Sequence, residues 1–159
     1  MKPLVALSLV LGLALPLAFG DVALSSGPRE TRAALDGVVV GHVGNLLADR
    51  YDAAWSRIHP SDRAAVGRKL WERCKRSPNG SLATVRYGRI RVTRERSMTF
   101  DSRLHARIAA VAVTVSVRAV MSGVPFDVRD VSHWAVAQGR WARLVEPRKL
   151  AAYDDGRCP

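Results

Sequence analysis

The sequence predicts an α+β domain in which N-terminal helices pack on a curved four-stranded antiparallel sheet. Apolar residues recur every three or four positions from Leu35 to Cys74, which is the spacing of helices. From Ser81 onward they recur at every second position, which is the spacing of strands. Two hairpin signals, Ser122-Gly123 and Gln138-Gly139, divide this second half into antiparallel strands.

The first twenty residues have the pattern of a cleaved signal peptide. One lysine precedes an apolar run over residues 4–17, and the small residues Ala18 and Gly20 lie three and one positions before the expected cleavage site. We therefore expect residues 1–20 to be removed on export, residues 21–28 to form a short linker, and residues 29–158 to form a single domain. An uncleaved N-terminal anchor is the alternative. The expected location is secreted or extracytoplasmic.

The helical half is predicted to contain one long helix and a short second one. Gly27-Pro28 is typical of a helix entry, with Glu30 placed to reach back to the cap. The apolar stripe predicts that this helix continues to Ile58, although the valine and glycine residues of 37–44 also fit a strand. His59-Pro60 ends it, and Ser61-Asp62 supplies a cap and a negative charge to the second helix.

The strand half is predicted to form a meander with bent strands. Gly88 lies where the apolar parity of the first strand changes, which indicates a bulge. The second strand has a valine face centred on Val113 and Val115 and an opposite face of small residues such as Ala112 and Thr114. Bulged strands would curl the sheet around the long helix into a cone, and residues 147–159 would form a tail.

The chain has two cysteines, Cys74 and Cys158. Because an exported protein enters an oxidising compartment, an even pair predicts a disulfide, either within the chain or to another chain. A catalytic thiol would need a neighbouring base, and neither cysteine has a histidine near it in sequence.

The chain is strongly basic, with a formal net charge of +11 that falls to about +10 without Lys2. An exported protein of this charge is expected to be attracted to anionic cell-envelope components. A solvated basic surface without a partner is the alternative interpretation. Nucleic acid is not expected as a partner, because the basic residues are scattered through the strands rather than massed in one tract.

Three quoted segments carry a resemblance to a known superfamily: "YDAAWSRIHPSDR", "WERC" and "AAYDDGRCP". With the helices-then-sheet order they resemble the cystatin-like, nuclear-transport-factor-2-like superfamily, and more narrowly its small exported actinobacterial members. The resemblance implies a cone-shaped sheet with a pocket at its open end, and dimers through the small-residue face in some members. It spans enzymes and non-catalytic binding domains, so it does not choose an activity.

Few residues qualify as site candidates. The weak catalytic candidates are Asp130, His133 and His105, since an isomerase-type site needs a carboxylate or imidazole inside a pocket. Asp130 and His133 have opposite strand parity and would not share a face without a bulge. The predicted pocket residues are Trp55, Tyr87 and Trp134. No metal site or cofactor is expected, because the four histidines are dispersed in sequence.

Two functions from different classes remain in view. The first is an exported, non-enzymatic module that binds an unknown small ligand or an anionic cell-envelope component through the cone pocket or the basic surface. The alternative is a small enzyme of the isomerase, cyclase or dehydratase type with an ionisable residue in the pocket. A homodimer is compatible with either function.

Overall fold

The computed structural model describes residues 30–76 and 85–159. It confirms the α+β class, with helices followed by one antiparallel, curved and open four-stranded sheet in the order β1-β2-β3-β4. The predicted signal peptide and linker lie outside the described residues. The elements are a 3₁₀ turn at Arg32–Ala34, α1 Leu35–Leu47, α2 Tyr51–Trp55, α3 Pro60–Val66, α4 Arg68–Lys75, β1 Val85–Ser102, β2 His105–Met121, β3 Val124–Ala137, β4 Arg140–Leu144 and α5 Pro147–Asp154.

The predicted long helix is interrupted. The glycine-rich part of α1 is helical as expected, but the helix ends at Leu47 and resumes at Tyr51. Asp49 between them has a φ of 55°, a conformation that an acidic side chain tolerates better than most. The Tyr51 hydroxyl donates a hydrogen bond to Asp49 Oδ1 at 2.6 Å, which stabilises this turn. The apolar residues keep their helical spacing across this turn, so the sequence pattern does not indicate the interruption.

The helix entry also differs from the prediction. Gly27 and Pro28 lie outside the described residues, and Glu30 is not part of a helix cap. The Glu30 carboxylate instead accepts hydrogen bonds from Arg57 Nη1 at 2.9 Å and from the Trp141 backbone at 2.7 Å. Burial alone would raise the pKa of Glu30, but these hydrogen bonds outweigh it and lower that pKa.

The His59-Pro60 corner lies beside the last strand. His59 N donates to Arg143 O at 2.9 Å and Arg143 N donates to Arg57 O at 2.7 Å, so the chain follows the β4 edge in a short parallel bridge. A second helix follows as predicted, but α3 begins at Pro60, before the predicted cap. The cap is His59 rather than Ser61, since His59 Nδ1 accepts from the Ser61 backbone at 3.3 Å.

The sheet confirms the predicted meander. Ser122 and Gly123 both have positive φ, as do Gln138 and Gly139, which is the backbone that two-residue hairpins require. The register of β1 against β2 shifts after Tyr87, next to Gly88, as expected. It shifts a second time between Val92 and Arg94, which the sequence did not predict.

Two apolar clusters make up most of the core. The inner face of the sheet carries the predicted valine stripe and packs against α1 through Leu35 and Val39. A second cluster joins α2, α3 and α4 to α5, around Trp71 and Leu150. The prediction of a tail over residues 147–159 is therefore wrong in part, since Pro147–Asp154 forms a helix that buries Leu150 and Tyr153.

A disulfide joins the ends of the helical part. Cys74 on α4 and Cys158 after α5 are bonded to each other, with their Cα atoms 5.1 Å apart. Of the two pairings that the sequence left open, the structure has the one within the chain. On the loop-entropy model a closure of this length contributes about 4–5 kcal/mol to stability before any strain.

Candidate functional site

Two bulges bring arginines of odd and even number onto one face of β1. Each bulge adds one residue to β1, so the side-chain parity changes twice between Tyr87 and Arg94. The result is a row of four arginines that all lie opposite even-numbered residues of β2: Arg86 opposite Val120, Arg91 opposite Ser116, Arg94 opposite Thr114 and Arg96 opposite Ala112. All four arginines are exposed.

The next two strands extend this row. Arg129 of β3 lies opposite Ser116, and Arg118 of β2 lies opposite Asp127. We call the six residues Arg86, Arg91, Arg94, Arg96, Arg118 and Arg129 the arginine face. The predicted small-residue face of β2 forms its floor, and a hollow of about 380 Å³ lies beside it, between Arg89, Arg91 and Arg118.

Little negative charge balances this surface. Arg118 Nη1 lies 3.4 Å from Asp127 Oδ1, and both side chains are about half exposed. No other member of the arginine face has an ion pair within residues 30–76 and 85–159. Glu95 lies opposite Val113 on the inner face, where it binds Arg32 at 2.6 Å. The guanidinium groups of the face therefore remain available to an anion.

A separate apolar cleft of about 650 Å³ borders the start of β2. Its lining is mostly apolar and includes Met98, Leu104 and Ile108, while Arg32, His59, Ser97 and His105 supply the polar groups. Trp141 also contributes, with its indole N–H donated to Thr31 O at 2.9 Å. The shape and composition are those of a small-molecule pocket.

His105, one of the three catalytic candidates, lines this cleft and is held by a buried carboxylate. Its Nε2 lies 2.7 Å from Asp62 Oδ1, and Asp62 Oδ2 accepts from the Val145 backbone at 2.7 Å. Asp62 is fully buried, so it joins α3, β2 and the end of β4. The His59 ring stands edge-on to His105 at 4.4 Å, and burial followed by the proximity of His105 lowers the pKa of His59.

Asp130 and His133 lie on opposite faces of β3, as their parity predicted. Asp130 shares the inner face with Val115, and its Oδ2 is 3.5 Å from Arg143 Nη2. His133 lies on the outer face opposite Ala112, with Nδ1 4.0 Å from Glu146 Oε1. Burial lowers the pKa of His133. The two residues do not form a dyad.

Arg143 also contacts a buried histidine. Its Nη1 donates to His42 Nε2 at 3.1 Å, and His42 packs edge-on against the Trp134 ring. Burial, followed by the charge of Arg143, holds the pKa of His42 well below its usual range, so the ring is a neutral acceptor. Burial likewise lowers the pKa of the neighbouring Lys75 to about 8.

The three residues predicted to line a common pocket lie apart. Trp55 packs on Trp71, with ring centroids 5.3 Å apart. Trp134 is fully buried in the inner cluster, and its indole N–H donates to Ser132 Oγ at 2.9 Å. Tyr87 is half exposed near the start of β1. The apolar cleft is lined by other residues. Asp62, which orients His105, is predicted from the sequence only as part of a helix start.

No protein-family model, curated protein or solved structure matches the chain. Among the described residues, no helix is long and apolar enough to cross a membrane. The same part of the chain contains no group of three or more histidine, cysteine or acidic side chains that is arranged to hold a metal ion. The function is therefore argued from the two surfaces described above.

Proposed function

We propose that this protein is an exported, non-enzymatic binding module whose arginine face holds an anionic polymer of the cell envelope. The observation that carries the proposal is the double bulge, which collects Arg86, Arg91, Arg94 and Arg96 on one side of β1. Without the bulges, alternation would send Arg91 to the opposite face from the other three. The cystatin-like cone belongs to the same proposal, since the bulged strands are the ones that would curl such a sheet.

The spacing of the charges favours a linear partner. Successive rows of a sheet face repeat at about 7 Å along the strand, so the arginine face presents a positive group at each step over roughly 25 Å. A guanidinium recognises phosphate, sulfate and carboxylate groups through paired N–H donors. A chain carrying one such group per repeat unit would follow the row, and its contacts would add along the strand.

Two features argue against other anionic partners. Proteins that hold single-stranded nucleic acid present exposed aromatic rings between the basic groups. In the described residues, no exposed aromatic side chain lies among the arginines, because Tyr87 shares its row with Ala119 on the inner face. Among the described residues, Val131, opposite Thr114, is the one large apolar side chain exposed on this face, whereas insertion into a lipid surface takes a continuous apolar face.

A charge-matched pair of variants tests the proposal. Affinity for linear polyphosphate is measured by titration calorimetry at several salt concentrations, with the variant Arg91→Gln/Arg94→Gln/Arg96→Gln. We expect the affinity to fall by about 10-fold or more and the salt dependence to become shallower. The control removes the same charge from the helical part, through Arg50→Gln/Lys69→Gln/Arg148→Gln. Equal losses in the two variants would reduce the effect to net charge and contradict the proposal.

Three other probes decide the class of polymer. Sulfated dextran is expected to behave like polyphosphate, because both present regularly spaced anions on a chain. Oligodeoxythymidylate and vesicles of phosphatidylglycerol are expected to bind more weakly at equal charge concentration. Tighter binding to either of these would replace the envelope polymer by nucleic acid or membrane as the partner.

The alternative function, a small enzyme of the isomerase, cyclase or dehydratase type, has one observation in its favour. His105 lines the apolar cleft and is oriented by the buried Asp62, which is how a general base is held. The same carboxylate also fastens the Val145 backbone, so the pair has a structural use that needs no substrate. Asp130 and His133 lie outside the lining of this cleft. We therefore rank catalysis second.

A ligand screen separates the two functions. Small apolar carbonyl compounds are added to the protein while the His105 ring signals are followed by NMR. An enzyme of this type requires a compound that shifts those signals and is then converted to product. Binding without conversion agrees with a binding module.

A further inference from the structure

The outer edge of β3 has no strand partner over nine residues. β4 pairs with β3 only from His133 to Ala137, which leaves Val124–Ser132 as a free edge in the described part of the chain. Both faces of this segment are exposed from Val124 to Val131. Unpaired backbone N–H and C=O groups along such an edge are a template for another strand.

The opposite edge of the sheet is protected and this one is not. β1 carries two bulges and a run of arginines, which disrupt a regular ladder and repel a second copy. Between Val111 and Met121, by contrast, β2 pairs with β3 without a single register shift. The free edge of β3 is therefore straight enough to accept a partner, and Pro125 removes only one donor from it.

We propose that two copies of the chain join antiparallel through the free β3 edge, centred on Val128, and form a continuous eight-stranded sheet. In this register Val128 lies opposite the same residue of the second copy. Asp127 then lies opposite Arg129 of the second copy, and the reciprocal pair forms on the other side of the axis. All nine residues Val124–Ser132 then lie opposite residues of the same segment in the second copy.

Charge complementarity selects this register. Moving the centre by one residue to Asp127 would oppose two carboxylates, and moving it to Arg129 would oppose two guanidinium groups. Opposite charges across a strand pair stabilise it, and like charges in the same place destabilise it. Pairing centred on Asp127 or on Arg129 would place no acidic residue opposite a basic one to offset this repulsion.

The inner face supplies apolar contacts at the same place. Val128 is 42 % exposed and Phe126 is 36 % exposed, and both lie on the inner face opposite Val117 and Ala119 of β2. Joining the edges in this register brings Val128 against its own copy. It places Phe126 opposite Asp130 of the second copy and diagonal to Val128 of that copy. The neighbouring Asp130 carboxylate is directed toward Arg143 of its own chain.

Pairing through the edge also avoids a conflict in the face-to-face dimer that the superfamily resemblance implied. Two copies packed through the small-residue face would bring Arg91, Arg94 and Arg129 of one copy against those of the other. Edge pairing uses Arg129 and leaves the other five arginines of the face open on both copies. The proposal does not depend on polymer binding.

Cross-linking tests the register directly. In Val128→Cys the new thiols of two copies lie opposite each other, whereas in Val131→Cys they are about 20 Å apart. With the native disulfide intact, mild oxidation is expected to convert most of Val128→Cys to a covalent dimer and to leave Val131→Cys monomeric. Equal cross-linking of the two variants, or none in either, would overturn the proposal.

A charge exchange tests the pairing without a new bond. We expect Asp127→Arg or Arg129→Asp alone to raise the dimer dissociation constant about 10-fold in sedimentation velocity, and the double exchange to restore it to within about threefold. Circular dichroism of each variant checks that the monomer is folded. A native chain that stays monomeric at about 100 µM, or a double exchange that restores nothing, contradicts the inferred dimer.

Discussion

The two ends of β3 carry apolar side chains on the same face of the sheet but have different surroundings. At one end, Trp134 is fully buried beneath the helices. At the other end, Phe126 on the same face of β3 is 36 % exposed and belongs to none of the three buried apolar clusters of the described residues. The alternation of apolar and polar residues predicts which side chains share a face. It does not predict how far along the strands the helical layer extends.

The largest expected effect compares these two ends directly. Trp134→Ala removes a fully buried ring from the inner cluster and should lower the free energy of unfolding by about 4 kcal/mol. Phe126→Ala, at the exposed end of β3, should lower the free energy of unfolding by less than about 1 kcal/mol. Urea denaturation at low protein concentration measures both. Similar losses of stability in the two variants would mean that the Phe126 end of β3 is also packed in solution.

Removing the disulfide is the next largest change. Cys74→Ala/Cys158→Ala should lower the free energy of unfolding by about 3–4 kcal/mol, because the unfolded chain loses a long cross-link. The two cysteines lie beside α4 and α5, so amide hydrogen exchange should accelerate in these two helices. Exchange in the β2–β3 hairpin should change least. Uniform acceleration over the sheet would show that the two ends unfold together.

The buried carboxylate should have a smaller but still large effect. Asp62→Ala leaves His105 and the Val145 backbone without their shared acceptor and should lower the free energy of unfolding by about 2–3 kcal/mol. Asp62→Asn keeps one acceptor and should lower it by less. Thermal melts of the two variants measure the difference. Equal losses would mean that the hydrogen bonds contribute little beyond packing.

Lys75 should have the smallest effect, and one of opposite sign. Burial lowers its folded pKa to about 8 from an ordinary value of 10.5, so the charged form destabilises the fold. This penalty is complete below pH 8 and disappears as the pH rises toward the unfolded value. Lys75→Met should therefore raise the free energy of unfolding by about 1–2 kcal/mol at pH 7.

The pH dependence provides the control for this variant. By pH 10 the stabilisation from Lys75→Met should fall to about a quarter of its value at pH 7. The exposed Lys69 is the matched position, and Lys69→Met should change stability by less than about 0.5 kcal/mol at either pH. A gain at position 75 that stays constant with pH would be due to packing rather than to charge.

Local signals predicted most of the fold. The two hairpins, the bulge beside Gly88 and the disulfide each depend on a few adjacent residues or on a simple count. The break at Asp49 and the helix α5 were missed. The apolar stripe continued through the break, and a short basic segment after Pro147 resembles a tail until its contacts with α3 are known.

The candidate sites were harder to predict for the same physical reason. Asp62 and His105 are 43 residues apart, and no pattern in the sequence links a residue in a first helical turn to one that begins a strand. The arginine face depends on the second bulge at Thr93, where no glycine marks the change of parity. The register of the sheet thus places on one face arginines whose positions in the sequence do not predict a common face.

The second bulge also makes the length of β1 independent of the faces of its side chains. Thr93 is the extra residue, because Val92 and Arg94 lie opposite consecutive residues of β2. Deleting Thr93 would therefore restore a regular ladder, with Val92 still on the inner face and Arg91 and Arg94 still on the outer one. A single-residue insertion or deletion at this point of the strand can thus be tolerated without exchanging charged surface for hydrophobic core.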